Sequence, residues 1–228
     1  PVLEAVIEAP TLRPDGTILS TPGYDALSRM YLLPSPGLES IEIPDQPCRD
    51  HMDVALDFIH DVIADFPFVN QASRTNAIAA MLTSACRHII RGPVPMALFD
   101  ATTQGTGKTL LAEVIHLIVT GRAADLMTPP NDPDEWRKQI TSILIEAPSI
   151  VIIDNVTTVV DWPQLCAAVT GEMHRDRILG KTQTVSVPVR CSWIVTGNNL
   201  RLAGDSPRRC YWVRMDARCP EPFKRTGF

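Results

Sequence analysis

The chain has 228 residues, of which 45% are hydrophobic, and a formal net charge of −5 at pH 7. That is enough apolar material for a full core, and one α/β domain with an appended segment is the expectation. No global basic field surrounds such a chain, so any contact with nucleic acid must come from a local patch, and no apolar run is long enough to span a membrane.

In chain order, residues 1–52 form a first segment of strands and turns that carries many of the prolines. Residues 2–9 read as a strand. Asp15 and Gly16 mark a hairpin, and Pro22 and Gly23 mark another turn. Residues 53–93 read as a helical subdomain. Its first helix, 53–66, has apolar side chains at helical spacing with Asp53 near the start. Its second, 71–90, is Ala-rich and is ended by Gly92 and Pro93.

From residue 94 to 228 strands and helices alternate. The expected elements are strand 95–100, helix 108–120, a short strand at 123–127 and a helix at 133–146 opened by Asn131, Asp132, Pro133 and Asp134. A strand at 149–154, a helix at 162–173 and strands at 190–196 and 210–216 follow. Such alternation argues a parallel sheet covered by helices on both faces, with ligands at the carboxyl ends of the strands.

The most informative stretch is the junction between the strand at 95–100 and the helix at 108–120. A short polar loop there ends in Gly105, Thr106, Gly107, Lys108 and Thr109. Glycines let successive backbone N–H groups turn inward on a phosphate, and the start of the helix adds free N–H groups and a positive dipole end. Lys108 can reach β- and γ-phosphates, and the Thr109 hydroxyl can ligate Mg²⁺. We assign Thr102, Thr103, Gln104, Gly105, Thr106, Gly107, Lys108, Thr109 and Leu110 to a nucleoside triphosphate, ATP, with Mg²⁺ on Thr109 and Asp154. The full phosphate-loop pattern has a glycine where Thr102 stands.

Asp154 ends the apolar strand 149–154, where an acid can hold Mg²⁺ opposite Thr109. Asn155 follows in place of the more usual glutamate. It cannot take a proton, but it can orient a water by hydrogen bonding. Glu172, in the next connection, is then a candidate base. The strand at 190–196 runs into Thr196, Gly197, Asn198 and Asn199. If it lies between the phosphate-loop strand and the Asp154 strand, Asn198 sits beside the γ-phosphate; the alternative is a simple Gly-Asn turn.

Arg208 and Arg209 follow. In a ring, one of them can cross to a neighbour's phosphates, and the sequence does not choose between them. Between the Asp154 and Asn198 strands lies a basic loop in which Arg175, Arg177 and Lys181 can meet nucleic-acid phosphates. A local ion pair between Asp176 and Arg177 explains it equally well.

The six cysteines (Cys48, Cys86, Cys166, Cys191, Cys210 and Cys219) include no C-x-x-C pair. Cys48 and His51 are spaced like half a zinc site without a second half. Scattered thiols and the lack of a signal peptide lead us to expect a cytoplasmic protein. The chain begins at Pro1 and ends abruptly at Phe228, so we expect a piece of a longer protein.

Taken in order, these motifs resemble the AAA+/superfamily 3-like helicase domains of phage and mobile-element primase-helicases, over roughly residues 94–228. The segments 9–17 and 21–25 also look like the stretch preceding such domains. The resemblance implies a P-loop NTPase core of AAA+/ASCE type. It implies a ring, usually a hexamer, that hydrolyses ATP to translocate on or unwind single-stranded or forked DNA, with a primase fused or separate. It implies that the 175–181 insertion points into the ring's channel, and that Asp followed by Asn is normal in this branch. The family's C-terminal lid, with its second sensor arginine, has no counterpart before Phe228. Two other readings stand beside this one. One is an ATP-binding switch or loader with weak hydrolysis; the other is a small-molecule kinase, for which no arginine-rich lid is apparent.

Overall fold

The computed structural model describes residues 2–38, 41, 43–44, 46–178 and 182–224. The chain opens with β1 (Ala5–Ile7), then the hairpin β2 (Thr11–Leu12) and β3 (Ile18–Leu19), then β4 (Gly23–Asp25) and β5 (Met30–Leu32). β5 pairs in parallel with β1 and antiparallel with β4. The hairpin turns where expected. Gly16 takes φ 86°, and Asp15 Oδ1 accepts from the Thr17 backbone N–H at 2.9 Å. The expected strand over 2–9 is cut to three residues. Ile7, Leu19, Met30 and Leu32 form a small core of their own.

Helix α1 (Arg49–Val62) starts four residues earlier than the apolar spacing predicts. The cause is local. The Cys48 backbone N–H donates to His51 Nδ1 at 3.3 Å, and the Cys48 thiol lies 3.5 Å from the same nitrogen. The spacing that resembled half a zinc site therefore serves as a helix cap. Helix α2 (Gln71–Ala85) is capped by Asn70, whose Oδ1 accepts from Ser73 N at 2.9 Å. It ends well short of residue 90. The backbone winds instead around the buried Arg87 guanidinium, which donates to the carbonyls of Ile90, Gly92, Val189 and Cys191 at 2.7–3.2 Å. A helix continued through 90 would deprive that charge of its oxygens.

The α/β part runs β6 (Met96–Ala101), α3 (Lys108–Thr120), β7 (Leu126–Met127), α4 (Pro133–Glu146), β8 (Ile150–Val156), β9 (Val159–Val160), α5 (Pro163–Thr170), β10 (Met173–Arg177), β11 (Thr184–Pro188), β12 (Ser192–Asn198), β13 (Arg201–Leu202) and β14 (Cys210–Met215). The central sheet has the order β14-β6-β12-β8-β7, and every pair in it is parallel. Its strands are apolar on both sides because both faces are covered. Ala97, Phe99, Ile152, Ile194 and Val213 pack with α2 and α3 through Ala77, Met81, Leu111 and Ile115. Leu98, Val151, Ile153, Trp193 and Val195 pack with α4 and α5 through Trp136, Ile140, Leu144 and Leu165.

Three further expected elements are corrected. The helix expected over 162–173 stops at Thr170, and the chain enters β10 at Met173. The basic stretch that follows is a β-hairpin rather than a loop, with β10 and β11 antiparallel in the register Met173↔Pro188 to Arg177↔Thr184. The strand expected over 123–127 shrinks to Leu126–Met127 at the sheet's edge. Among the described residues no helix is long and apolar enough to cross a membrane.

Candidate functional site

The loop between β6 and α3 turns on two glycines in the left-handed region, Gly105 at φ 71° and Gly107 at φ 97°. Thr102 is not among the residues at positive φ. The glycine that the full pattern carries there is thus not needed by this backbone. Within the loop the Thr106 hydroxyl donates to the Thr103 carbonyl at 2.6 Å. Gly107 caps α3 without any side-chain hydrogen bond, so the first N–H groups of the helix, from Lys108 to Leu110, stay free. They carry the dipole's positive end at the loop.

Three parallel strands meet at this loop. β12 lies between β6 and β8, the arrangement on which the placement of Asn198 depended. Lys108 Nζ donates to Asn198 Oδ1 at 2.7 Å and to the Thr103 carbonyl at 3.4 Å. The Thr109 hydroxyl donates to Asp154 Oδ1 at 2.7 Å. Lys108 is only 7% exposed. Burial lowers its pKa, opposed by the carboxylates of Asp100 and Asp154. The site is therefore a buried cation and a hydroxyl-bonded carboxylate at the dipole-positive end of a helix.

Sequence reasoning missed two supports. Thr196, 1% exposed, donates to Asp154 Oδ1 at 2.7 Å and accepts from the Asn155 backbone N–H at 3.1 Å. Asp100, at the end of β6, accepts from Leu200 N at 2.9 Å and fixes the turn after Asn198. A hydroxyl in a strand reads as ordinary β-propensity, and only the strand order brings Thr196 to Asp154.

Asn155 has its own explanation. The β12–β8 register runs from Val195↔Ile153 to Gly197↔Val156, so β8 carries one extra residue there. Asn155 takes φ 55° in that bulge, a conformation that asparagine tolerates and glutamate does not favour. Its side chain is exposed.

A phosphate loop between β6 and its helix α3, with the acid-bearing strand β8 one strand removed across β12, decides the fold. It is that of a P-loop NTPase. The likeness to one solved structure agrees. The apo C-terminal region of NrS-1 (residues 305–718) matches over 90% of this chain and 46% of its own, with TM-score 0.51 and 17% identity. NtrX from Brucella abortus, solved in complex with ATP, is more distant: TM-score 0.39 and 13% identity, over 75% of this chain and 44% of that one. This chain thus spans under half the length of either. No family model and no curated protein sequence matches it.

The remaining candidates fall into three groups. Glu172 lies beside Gly92 at the base of the β10–β11 hairpin, near the amino ends of the strands. It is not at the phosphate loop and is not a base for it. Arg209 is turned inward, donating to the Cys166 carbonyl at 2.7 Å, to Thr170 Oγ1 at 2.5 Å and to Asp205. Among the described residues Arg208 is held by Asp205 only, and 79% of its side chain is exposed. Hydrogen bonds from these two arginines, Arg208 first, hold the Asp205 carboxyl below its ordinary range.

On the hairpin, the two-residue strand period separates the charges. Arg175 and Arg177 face solvent. Asp176 faces α4, where Arg137 Nε lies 3.4 Å away, and His174 Nε2 lies 2.9 Å from Thr141 Oγ1. An ion pair between Asp176 and Arg177 is thereby replaced by one with Arg137. Lys181 lies outside the described residues.

Proposed function

We propose that this chain is the ATP-hydrolysing motor module of a DNA helicase or translocase. The observation that carries the nucleotide reading is the convergence of Lys108, Thr109, Asp154 and Asn198 at the carboxyl ends of three adjacent parallel strands. The loop's free N–H groups take the phosphates, and Lys108 meets the terminal ones. Asn198 then faces the γ-phosphate and positions the attacking water.

The donor set fits a hard divalent cation. A hydroxyl and a carboxylate oxygen lie 2.7 Å apart at the start of the loop's helix. Thr109 and Asp154 would hold Mg²⁺, which neutralises charge on the phosphate oxygens when bound. Thr196 keeps the Asp154 carboxylate aimed at that point.

Two further observations support a ring acting on DNA. Arg208 precedes β14, whose first residue, Cys210, pairs with Met96 at the start of β6. The phosphate loop begins after Ala101, so Arg208 lies about 20 Å from it at the usual rise per strand residue. It cannot serve its own subunit and is available to another. Arg175 and Arg177 present two exposed cations, without an ion partner among the described residues, on one face of β10, the form of a backbone-tracking contact.

The test is the ATPase rate of the longest natural form of the protein, with and without single-stranded DNA. Stimulation by DNA supports the motor. ATP binding with slow turnover that DNA does not change supports the switch, which the exposed Asn155 favours. Turnover by a strict monomer, with a small-molecule acceptor, supports the kinase.

A further inference from the structure

Two aromatic rings lie against the two turning glycines of the phosphate loop. A Cβ on Gly105 would sit 3.1 Å from Cβ and Cδ1 of Phe223, and one on Gly107 would sit 3.4 Å from Cε1 of Phe66. The rings come from segments far apart in sequence that are tied together beside the loop. Asp216 N–H donates to the Pro67 carbonyl at 2.8 Å, and Val69 N–H to the Arg214 carbonyl at 3.0 Å. Phe66 is half-buried, with its ring centroid 6.3 Å from that of Phe68. Phe223 is 68% exposed, although Pro222 beside it is buried. One exposed ring needs no explanation. Two rings on the two glycines of one phosphate loop do.

The cradle accounts for a triphosphate and leaves the heterocycle unassigned. A nucleoside esterified to phosphates in the loop must lie beside it, and these rings lie against its two glycines. We propose that Phe223 and Phe66 form the nucleobase platform of the site, gripping the base by stacking. Stacking is tolerant of base identity because every base has a π-face. The site therefore takes purine and pyrimidine nucleoside triphosphates alike, with purines held more firmly for their larger face. This inference rests on the nucleotide reading above.

Calorimetry with ATP and with inorganic tripolyphosphate separates the base from the phosphates. In Phe223→Ala, ATP affinity falls roughly tenfold or more while tripolyphosphate affinity stays level. Phe223→Tyr restores ATP binding. Phe66→Leu keeps apolar bulk but loses the π-face, and it lowers ATP affinity in the same selective way. Unchanged ATP affinity in Phe223→Ala overturns the platform, as does an equal fall for both ligands. A rise for both also overturns it, since the ring would then be a plug on the loop. If the parent chain binds neither ligand, the nucleotide reading itself fails and takes the platform with it.

Discussion

Lys108 Nζ donates to Asn198 Oδ1 across 2.7 Å, which joins the phosphate loop to the end of the neighbouring strand. A γ-phosphate would accept the lysine's hydrogen bonds in place of Asn198 and leave the amide facing the same oxygens. Asn198→Ala should therefore lower single-turnover hydrolysis by about 10²–10³-fold, with ATP affinity nearly unchanged. Parent-rate hydrolysis in the variant would reduce Asn198 to a turn residue.

Thr196 aims Asp154 and holds the bulge at Asn155 with one hydroxyl. Thr196→Val keeps the shape and removes both bonds. Stability should drop by about 1–3 kcal/mol, from the unpaired N–H and the lost donor. The Mg²⁺ concentration for half-maximal hydrolysis should rise several-fold, and Thr196→Ser should restore it. A lower melting temperature with an unmoved Mg²⁺ response would make Thr196 a packing residue only.

The five central-sheet strands and the helices α3, α4 and α5 were legible in order because apolar runs of strand length alternate with helical spacing, and glycines mark the loop; the short β9 and β13 and the β10–β11 pair were not. The four residues at the heart of the site were legible for the same reason: each ends an apolar strand or opens a helix. What was not legible depends on contacts between distant segments. Asp176 pairs with Arg137 of α4 rather than with its neighbour Arg177, because the stretch is a strand and the pleat sends alternate residues to opposite faces. Arg208 and Arg209 look equivalent in sequence, and only the α5 carbonyls and Thr170 tell them apart. Glu172 follows Asp154 closely enough to suggest a shared site, yet the hairpin carries it to the other end of the sheet.

That difference between the arginines gives a paired prediction. Arg209→Ala should lower the melting temperature, because it removes charged donors from the end of α5. Arg208→Ala should leave stability and ATP binding intact. In a longer form that assembles into the proposed ring it should lower hydrolysis on the order of 10³-fold or more. Mixing Arg208→Ala with Lys108→Ala subunits should restore part of the activity, since some interfaces then pair an intact arginine with an intact loop. A longer form that hydrolyses ATP as a strict monomer without Arg208 would end the ring model.

Arg175 and Arg177 share the outer face of β10 and have no acidic partner among the described residues. The double alanine variant should bind single-stranded DNA more weakly. The slope of log affinity against log salt should shrink by about 1.4 for two lost phosphate contacts. Basal hydrolysis should survive, because the hairpin does not touch the loop. Equal affinity and equal slope would leave the two arginines as solvated surface.

The central claim is that the loop from Thr102 to Leu110 holds a nucleoside triphosphate through Lys108. Calorimetric titration of ATP into the chain and into Lys108→Ala tests it most directly, with the melting temperature as a check on folding. Burial of the lysine's stem contributes little beside its charge, so the variant should stay folded and lose measurable ATP binding. A folded Lys108→Ala chain that binds ATP with the parent's affinity would contradict the assignment.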